Sequence, residues 1–238
     1  MEDQGSQGPK TASTGNMEID KKLGGGIPLG SLTLVEGQSD AGKSVFCQHI
    51  TSGSLESGLG VAYYTAENTV KSLVNQMASL NLDIMDYLLV DQLRIFPMNI
   101  SARNVSPDKI FSRLTSHVER LATEYQVVIV DSITTVVSHS GEANIIDFFS
   151  TCKRLCDRGR TVFLVVHSYA FDERMLIRIR SLCDSHLRLR LEQVEERLIK
   201  VLEVAKVRNA ERTTGNIVSF DVEPGMGIRI IPISKAKA

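Results

Sequence analysis

Apolar runs and amphipathic stretches alternate along most of the chain. Leu32–Glu36 is an apolar run that stops at Gly37, the pattern of a buried strand, and Lys43–Ser57 carries helical spacing. Gly60–Thr65 predicts a second strand, and Thr69–Leu80 a helix with Leu73, Val74 and Met77 on one face. Leu88–Phe96 is expected to hold another strand. Pro107–Thr123 predicts a helix, because Ile110, Leu114, His117, Val118 and Leu121 fall at helical spacing. Val127–Asp131 and Thr161–Val166 are continuous apolar runs on either side of a helical stretch, Ile145–Asp157. Wholly apolar strands alternating with helices predict an α/β fold with a mostly parallel sheet, flanked by helices on both faces.

The pattern changes after about residue 184. His186–Leu191 alternates strictly between apolar and polar, and Leu198–Val207, Ile217–Val222 and Ile228–Ile233 look similar. These segments predict antiparallel C-terminal hairpins that extend the sheet. Residues 1–16 are polar and predict a disordered tail; residues 17–238 then form one domain. Gly24–Gly30, with three glycines followed by Pro28 and Gly30 between apolar flanks, is expected to be a shaped loop.

Composition narrows the function classes. The 238 residues are 42% hydrophobic and 23% charged, and the net charge is -1, so no global field draws the chain to nucleic acid or an anionic membrane. The N-terminus lacks an apolar core and no 18-residue apolar window exists. A cytoplasmic protein is expected, with any membrane association coming through a partner. Cys47, Cys152, Cys156 and Cys183 form no C-x-x-C pair and are expected to be packing thiols.

The chemistry is concentrated after the first strand. Gly37, Gln38, Ser39, Asp40, Ala41, Gly42, Lys43 and Ser44 match the phosphate-loop pattern G-x-x-x-x-G-K-S/T in full, with Val45 next in line. Glycines let the backbone curl around phosphates, and successive N–H groups and the helix N-terminus face the anion. Lys43 would place a cation on the β- and γ-phosphates, and Ser44 a hydroxyl on Mg²⁺. Asp40 would repel phosphate unless it points outward, and it is expected to do so. Asp131 follows a buried strand and so belongs at the ligand-binding edge of a parallel sheet, as a second Mg²⁺ partner. Glu67 ends another strand at that edge, where a carboxylate can orient an attacking water as general base. His167 or Ser168 would sense the γ-phosphate from a fourth strand end.

Together these motifs resemble the RecA superfamily of P-loop NTPases, and within it the KaiC-like branch. The resemblance runs from about residue 19 to 233. It rests on the lead-in Leu23–Gly37, on Asp131, Ser132, Ile133 and Thr134, and on Lys206, Val207, Arg208 and Asn209 of a late hairpin. It implies a RecA-like core that binds ATP with Mg²⁺. It also implies a homo-oligomer, a hexameric ring in which Lys206 and Arg208 reach the neighbour's nucleotide. The single domain is similar to the members that serve the archaellum motor, which implies the motor ATPase (FlaI) and membrane platform proteins as partners. KaiC-like proteins usually carry paired glutamates where this chain has Glu67 and Asn68, and an amide cannot accept a proton. Slow or negligible hydrolysis is therefore expected.

Two other classes remain open at this point: a RecA/RadA-like DNA-dependent ATPase, and an autonomous KaiC-like ATPase or autokinase. The DNA reading would use Arg174, Arg178, Arg180, Arg188 and Arg190, but these alternate with apolar residues and predict a solvated face.

Overall fold

A computed structural model describes residues 10–100, 106–194, 196–215 and 217–231. The chain begins with β1 (Thr11–Ala12), α1 (Met17–Lys22), β2 (Ile27–Pro28), β3 (Leu32–Gly37), α2 (Lys43–Glu56) and β4 (Val61–Thr65). It continues through α3 (Val70–Ser79), α4 (Met85–Leu89), β5 (Leu93–Pro97), α5 (Pro107–Arg120) and β6 (Val127–Asp131). Next come α6 (Thr134–Ser138), α7 (Glu142–Asp157), β7 (Thr161–His167), a 3-10 turn (Ser168–Ala170) and α8 (Glu173–Leu182). The last strands are β8 (Ser185–Val194), β9 (Arg197–Val207), β10 (Ile217–Glu223) and β11 (Gly227–Ile230).

Among the described residues, nine strands form one sheet in the order β11-β10-β9-β8-β3-β7-β6-β4-β5. β3 pairs in parallel with both β7 and β8, and β6 and β4 continue the parallel half. From β8 outward the pairings are antiparallel. The phosphate-loop strand therefore has parallel neighbours on both sides and lies one strand in from the seam, which falls at β8.

Side-chain alternation sorts the core into two layers. Val35, Tyr63, Ile129 and Val165 face α1, α2 and α3, whereas Leu34, Tyr64, Val130 and Val166 face α5, α7 and α8. Both faces are covered, which is why these strands are apolar throughout rather than alternating. All four cysteines are buried free thiols, as expected.

One expectation needs correction, and two expected strand spans are refined. Residues 10–16 are not a loose tail: β1 pairs with β2, Ala12 and Thr14 are fully buried, and Asn16 caps α1. The segment is polar because its polar groups are used. Asp20 accepts from the hydroxyls of Ser13 (2.6 Å) and Thr14 (2.7 Å) and from the Thr14 amide (2.9 Å). It passes so close to α2 that a Cβ on Gly53 would lie 2.2 Å from the Gly15 nitrogen. Residues 1–9 lie outside the described residues, as does the end of the domain beyond 231. Within Leu88–Phe96, the strand proper starts at Leu93, and Met85–Leu89 is helical. The last strand ends at Ile230, and residues 232 and 233 of its expected span lie outside the described residues.

Candidate nucleotide-binding site

The loop after β3 is held in shape by its neighbours. Gly42 caps α2 at φ 92, a left-handed conformation that a side chain resists. A Cβ there would also meet the Phe220 ring at 3.2 Å and the Lys200 stem at 3.4 Å. Gln38 turns away from the loop's concave side, its Oε1 accepting the Leu191 amide at 3.1 Å.

A cavity of about 450 Å³ opens beside the loop. From the loop and helix it is lined by Ser39, Asp40, Gly42, Lys43, Ser44 and Val45. Glu67, Asp131, Ser132 and His167 close it from one side, and Lys200 and Val222 from the other. Gly37, Gln38 and Ala41 belong to the motif but not to the lining. Asp40 is exposed at φ 60 and borders the cavity.

Lys43 is 6% exposed. Its Nζ donates to the Gln38 carbonyl at 2.6 Å and lies 3.3 Å from His167 Nδ1. Burial lowers the Lys43 pKa, against the attraction of Asp131 and Glu67. Asp131 is also 6% exposed and accepts the Tyr63 hydroxyl at 2.8 Å. Burial raises its pKa, although hydrogen bonds from Tyr63 and Ser44 oppose the shift. A buried carboxylate whose charge is strained by desolvation, beside the Ser44 hydroxyl and a lysine, suits a divalent cation with an anionic ligand. The residues present therefore fit a magnesium nucleotide.

His167 reaches the site and Ser168 does not. The His167 ring is 3.4 Å from Ser39 Oγ and stacks on Tyr169 with centroids 5.2 Å apart. Burial, then the Lys43 charge, hold its pKa low. Ser168 opens the 3-10 turn instead. Glu67 is exposed and borders the cavity. Asn68 is turned onto α3, where its Oδ1 accepts from Ser72 Oγ at 3.0 Å and Gln76 Nε2 at 2.9 Å.

Lys206 and Arg208 are not brought to this cavity within the chain. Lys206 pairs in register with His186, near the start of β8, which places it at the sheet edge opposite the phosphate loop. Its Nζ donates to the carbonyls of Arg180 (3.0 Å) and Cys183, while Arg208 lies 3.9 Å from Asp184. The arginines expected to form a solvated face are largely paired within the chain. Arg180 (2.6 Å) and Arg188 (3.5 Å) meet Glu36, which is fully buried. Arg178 pairs with Glu142 at 3.1 Å, and Arg190 lies 3.6 Å from Glu203. Sequence reasoning missed Tyr63, Lys200 and Val222, whose only signal is register in the folded sheet.

A phosphate loop at the edge of a mostly parallel sheet, beside an acid-ended strand, defines an ATP-binding protein of the RecA superfamily. The chain belongs to the KaiC-type ATPase family, whose pattern matches residues 12–235. It is 30% identical over 234 residues to the archaeal flagellar ATP-binding protein FlaH of Sulfolobus acidocaldarius, covering 95% of this chain and 99% of that one. FlaH of Methanocaldococcus jannaschii is 30% identical over 215 residues, covering 90% and 91% of the two chains. The crystal structure of the flagellar accessory protein FlaH from M. jannaschii superposes with a TM-score of 0.84 at 29% identity, over 93% of this chain and 99% of that one. Among the described residues, no helix is long and apolar enough to cross a membrane.

Proposed function

We propose that this protein is a nucleotide-binding component of the archaellum motor, which holds Mg-ATP in the loop Gly37–Ser44 to control assembly and hydrolyses it slowly or not at all. The observation that carries this reading is the cavity of about 450 Å³ in which Lys43, Ser44, Asp131 and Glu67 converge, in a chain similar over 95% of its length to a FlaH protein. Lys43 and the loop amides bind the phosphates, and Ser44 and Asp131 are the metal ligands. Mg²⁺ bound there supplies charge neutralisation for the terminal phosphates. His167 contacts the γ-phosphate side through its place beside Lys43.

Glu67 borders the cavity and is the carboxylate assigned to orient a water. Asn68 cannot take a proton, and its amide is committed to Ser72 and Gln76. Low turnover follows. Lys206 and Arg208 lie at the far sheet edge from their own loop, so any contact they make with nucleotide is to that of an adjacent subunit. The reading includes a homo-oligomeric ring, with six subunits as the expected size, docking on the motor ATPase and its membrane platform. The pairing of the exposed arginines with acids of the same chain favours this reading over a DNA-dependent ATPase.

Light scattering on the purified chain with and without Mg-ATP tests the proposal. Mass should rise to that of a closed ring with nucleotide, and Lys43→Ala should remain small. A chain that stays monomeric at saturating Mg-ATP would overturn the ring reading.

A further inference from the structure

The two sides of the cavity differ in chemistry. On the β7, β6 and β4 side stand Lys43, His167, Asp131 and Glu67, with Ser44 hydrogen-bonded to Asp131. The triphosphate end and its metal belong there. On the β9 and β10 side stand Lys200 and Val222. A nucleotide whose terminal phosphates sit by Asp131 must run its remaining length across Gly42 toward those two residues.

Lys200 is placed to meet it. Its stem lies against Gly42, the last loop residue before α2, and its partner in the next strand is Phe220, whose ring backs the same glycine. Its side chain is 22% exposed, and the ammonium is 3.6 Å from Asp221, which is itself 45% exposed. That distance is an ion pair without a close hydrogen bond, so the ammonium's donors are open to a better acceptor. Lys200 also lies on the loop's other flank from Lys43, so one cation cannot do the work of both.

We propose that Lys200 is a second nucleotide-binding cation, contacting the α-phosphate or its ester to the ribose. It swings from Asp221 onto the ligand, and Val222 supplies an apolar contact to the nucleoside. The proposal rests on the nucleotide reading above and assigns a different part of the same ligand. Because Lys200 addresses the portion common to ATP and ADP, it sets affinity for both alike. Lys43 addresses the terminal phosphates and sets the preference between them.

Titrations with Mg-ATP, Mg-ADP and Mg-tripolyphosphate on natural, Lys200→Gln, Lys200→Arg and Lys43→Ala proteins separate the cases. Lys200→Gln should weaken ATP and ADP by a similar factor, about tenfold for a lost charge-assisted hydrogen bond. Tripolyphosphate should be affected less, and Lys200→Arg should recover part of the loss. Matching melting curves with and without the substitution would show that the fold is intact. Unchanged ATP and ADP affinity in Lys200→Gln, with Lys43→Ala still impaired, overturns the proposal and leaves the nucleotide reading standing. Loss confined to ATP overturns the α-phosphate placement. If Lys43→Ala binds as well as the natural chain, the nucleotide reading fails as well.

Discussion

The Tyr63 hydroxyl donates to Asp131 Oδ2 across 2.8 Å, and both residues are buried. They come from adjacent parallel strands, β4 and β6, in which Tyr63 pairs with Ile129 and Thr65 with Asp131. The phenol thus fixes the carboxylate that the proposed metal requires. Its own pKa is pushed well up by burial and by the Asp131 charge, so it stays a donor at any working pH.

Tyr63→Phe should therefore raise the Mg²⁺ concentration needed for ATP binding. It should also cost about 1 kcal/mol of stability, the net value of a typical buried hydrogen bond. A magnesium titration at fixed ATP, with a denaturant melt alongside, checks both. An unchanged magnesium midpoint would mean that Asp131 keeps its position unaided.

Lys43→Ala should weaken Mg-ATP binding about 10- to 100-fold, the loss of one or two charge-assisted bonds. The variant should fold normally, because burial already disfavours the charged ammonium at that position. Calorimetric titration and thermal melting read the two effects separately.

Gly42→Ala should damage both binding and stability. The residue sits at φ 92, and the added methyl would press on Phe220 at 3.2 Å. Left-handed backbone costs an alanine about 1–2 kcal/mol before any clash is counted. Melting temperature and ATP affinity should fall together.

Turnover is predicted to be slow because the residue after Glu67 is Asn68 and not a second glutamate. Phosphate release should run well below about 1 s⁻¹, the low end of typical enzyme rates. Asn68→Glu would restore an acid, but one that starts on α3 beside Ser72 and Gln76, so its gain measures whether that side chain can reach the cavity. Natural turnover at or above about 1 s⁻¹ would remove the holding role.

Stability should fall with acid through His49. Its Nε2 accepts the Ile228 amide at 3.0 Å, and burial holds its pKa below the usual histidine value. The folded state requires neutral imidazole, whereas the unfolded chain takes up the proton at about pH 6.5. The contribution is therefore complete above that pH and declines below it. Melting temperatures between about pH 5 and 8 should slope downward on the acid side, and His49→Gln should flatten the slope while His117 and His167 titrate as before.

The parallel half was legible because its strands are buried on both faces and end in diagnostic residues. Gly37, Lys43, Ser44 and Asp131 could be placed on one sheet edge from spacing alone. Lys200 could not, since in an alternating strand a lysine beside an apolar residue looks like any exposed position. Only the pairing of Leu191 with Lys200, and of Lys200 with Phe220, carries it over the loop. The segment Thr11–Asn16 was hidden for a related reason. Its serine, threonine and asparagine side chains look solvent-seeking in sequence, but they satisfy Asp20 and the start of α1. Glu36 and Arg180 show the same limit, since a charge at the end of an apolar run gives no hint of a buried ion pair with a distant helix.

The wall formed by Lys200 and Val222 has a consequence for how the protein is made. During synthesis the phosphate loop leaves the ribosome long before β9 and β10 do, and so exists for a time with one side of its cavity missing. A chain halted before Val222 would carry the whole Gly37–Ser44 motif and still lack its second wall. Nucleotide capture would then report that the late strands have been added in register, and a ligand that stabilises only the folded state would favour finished subunits over truncated ones.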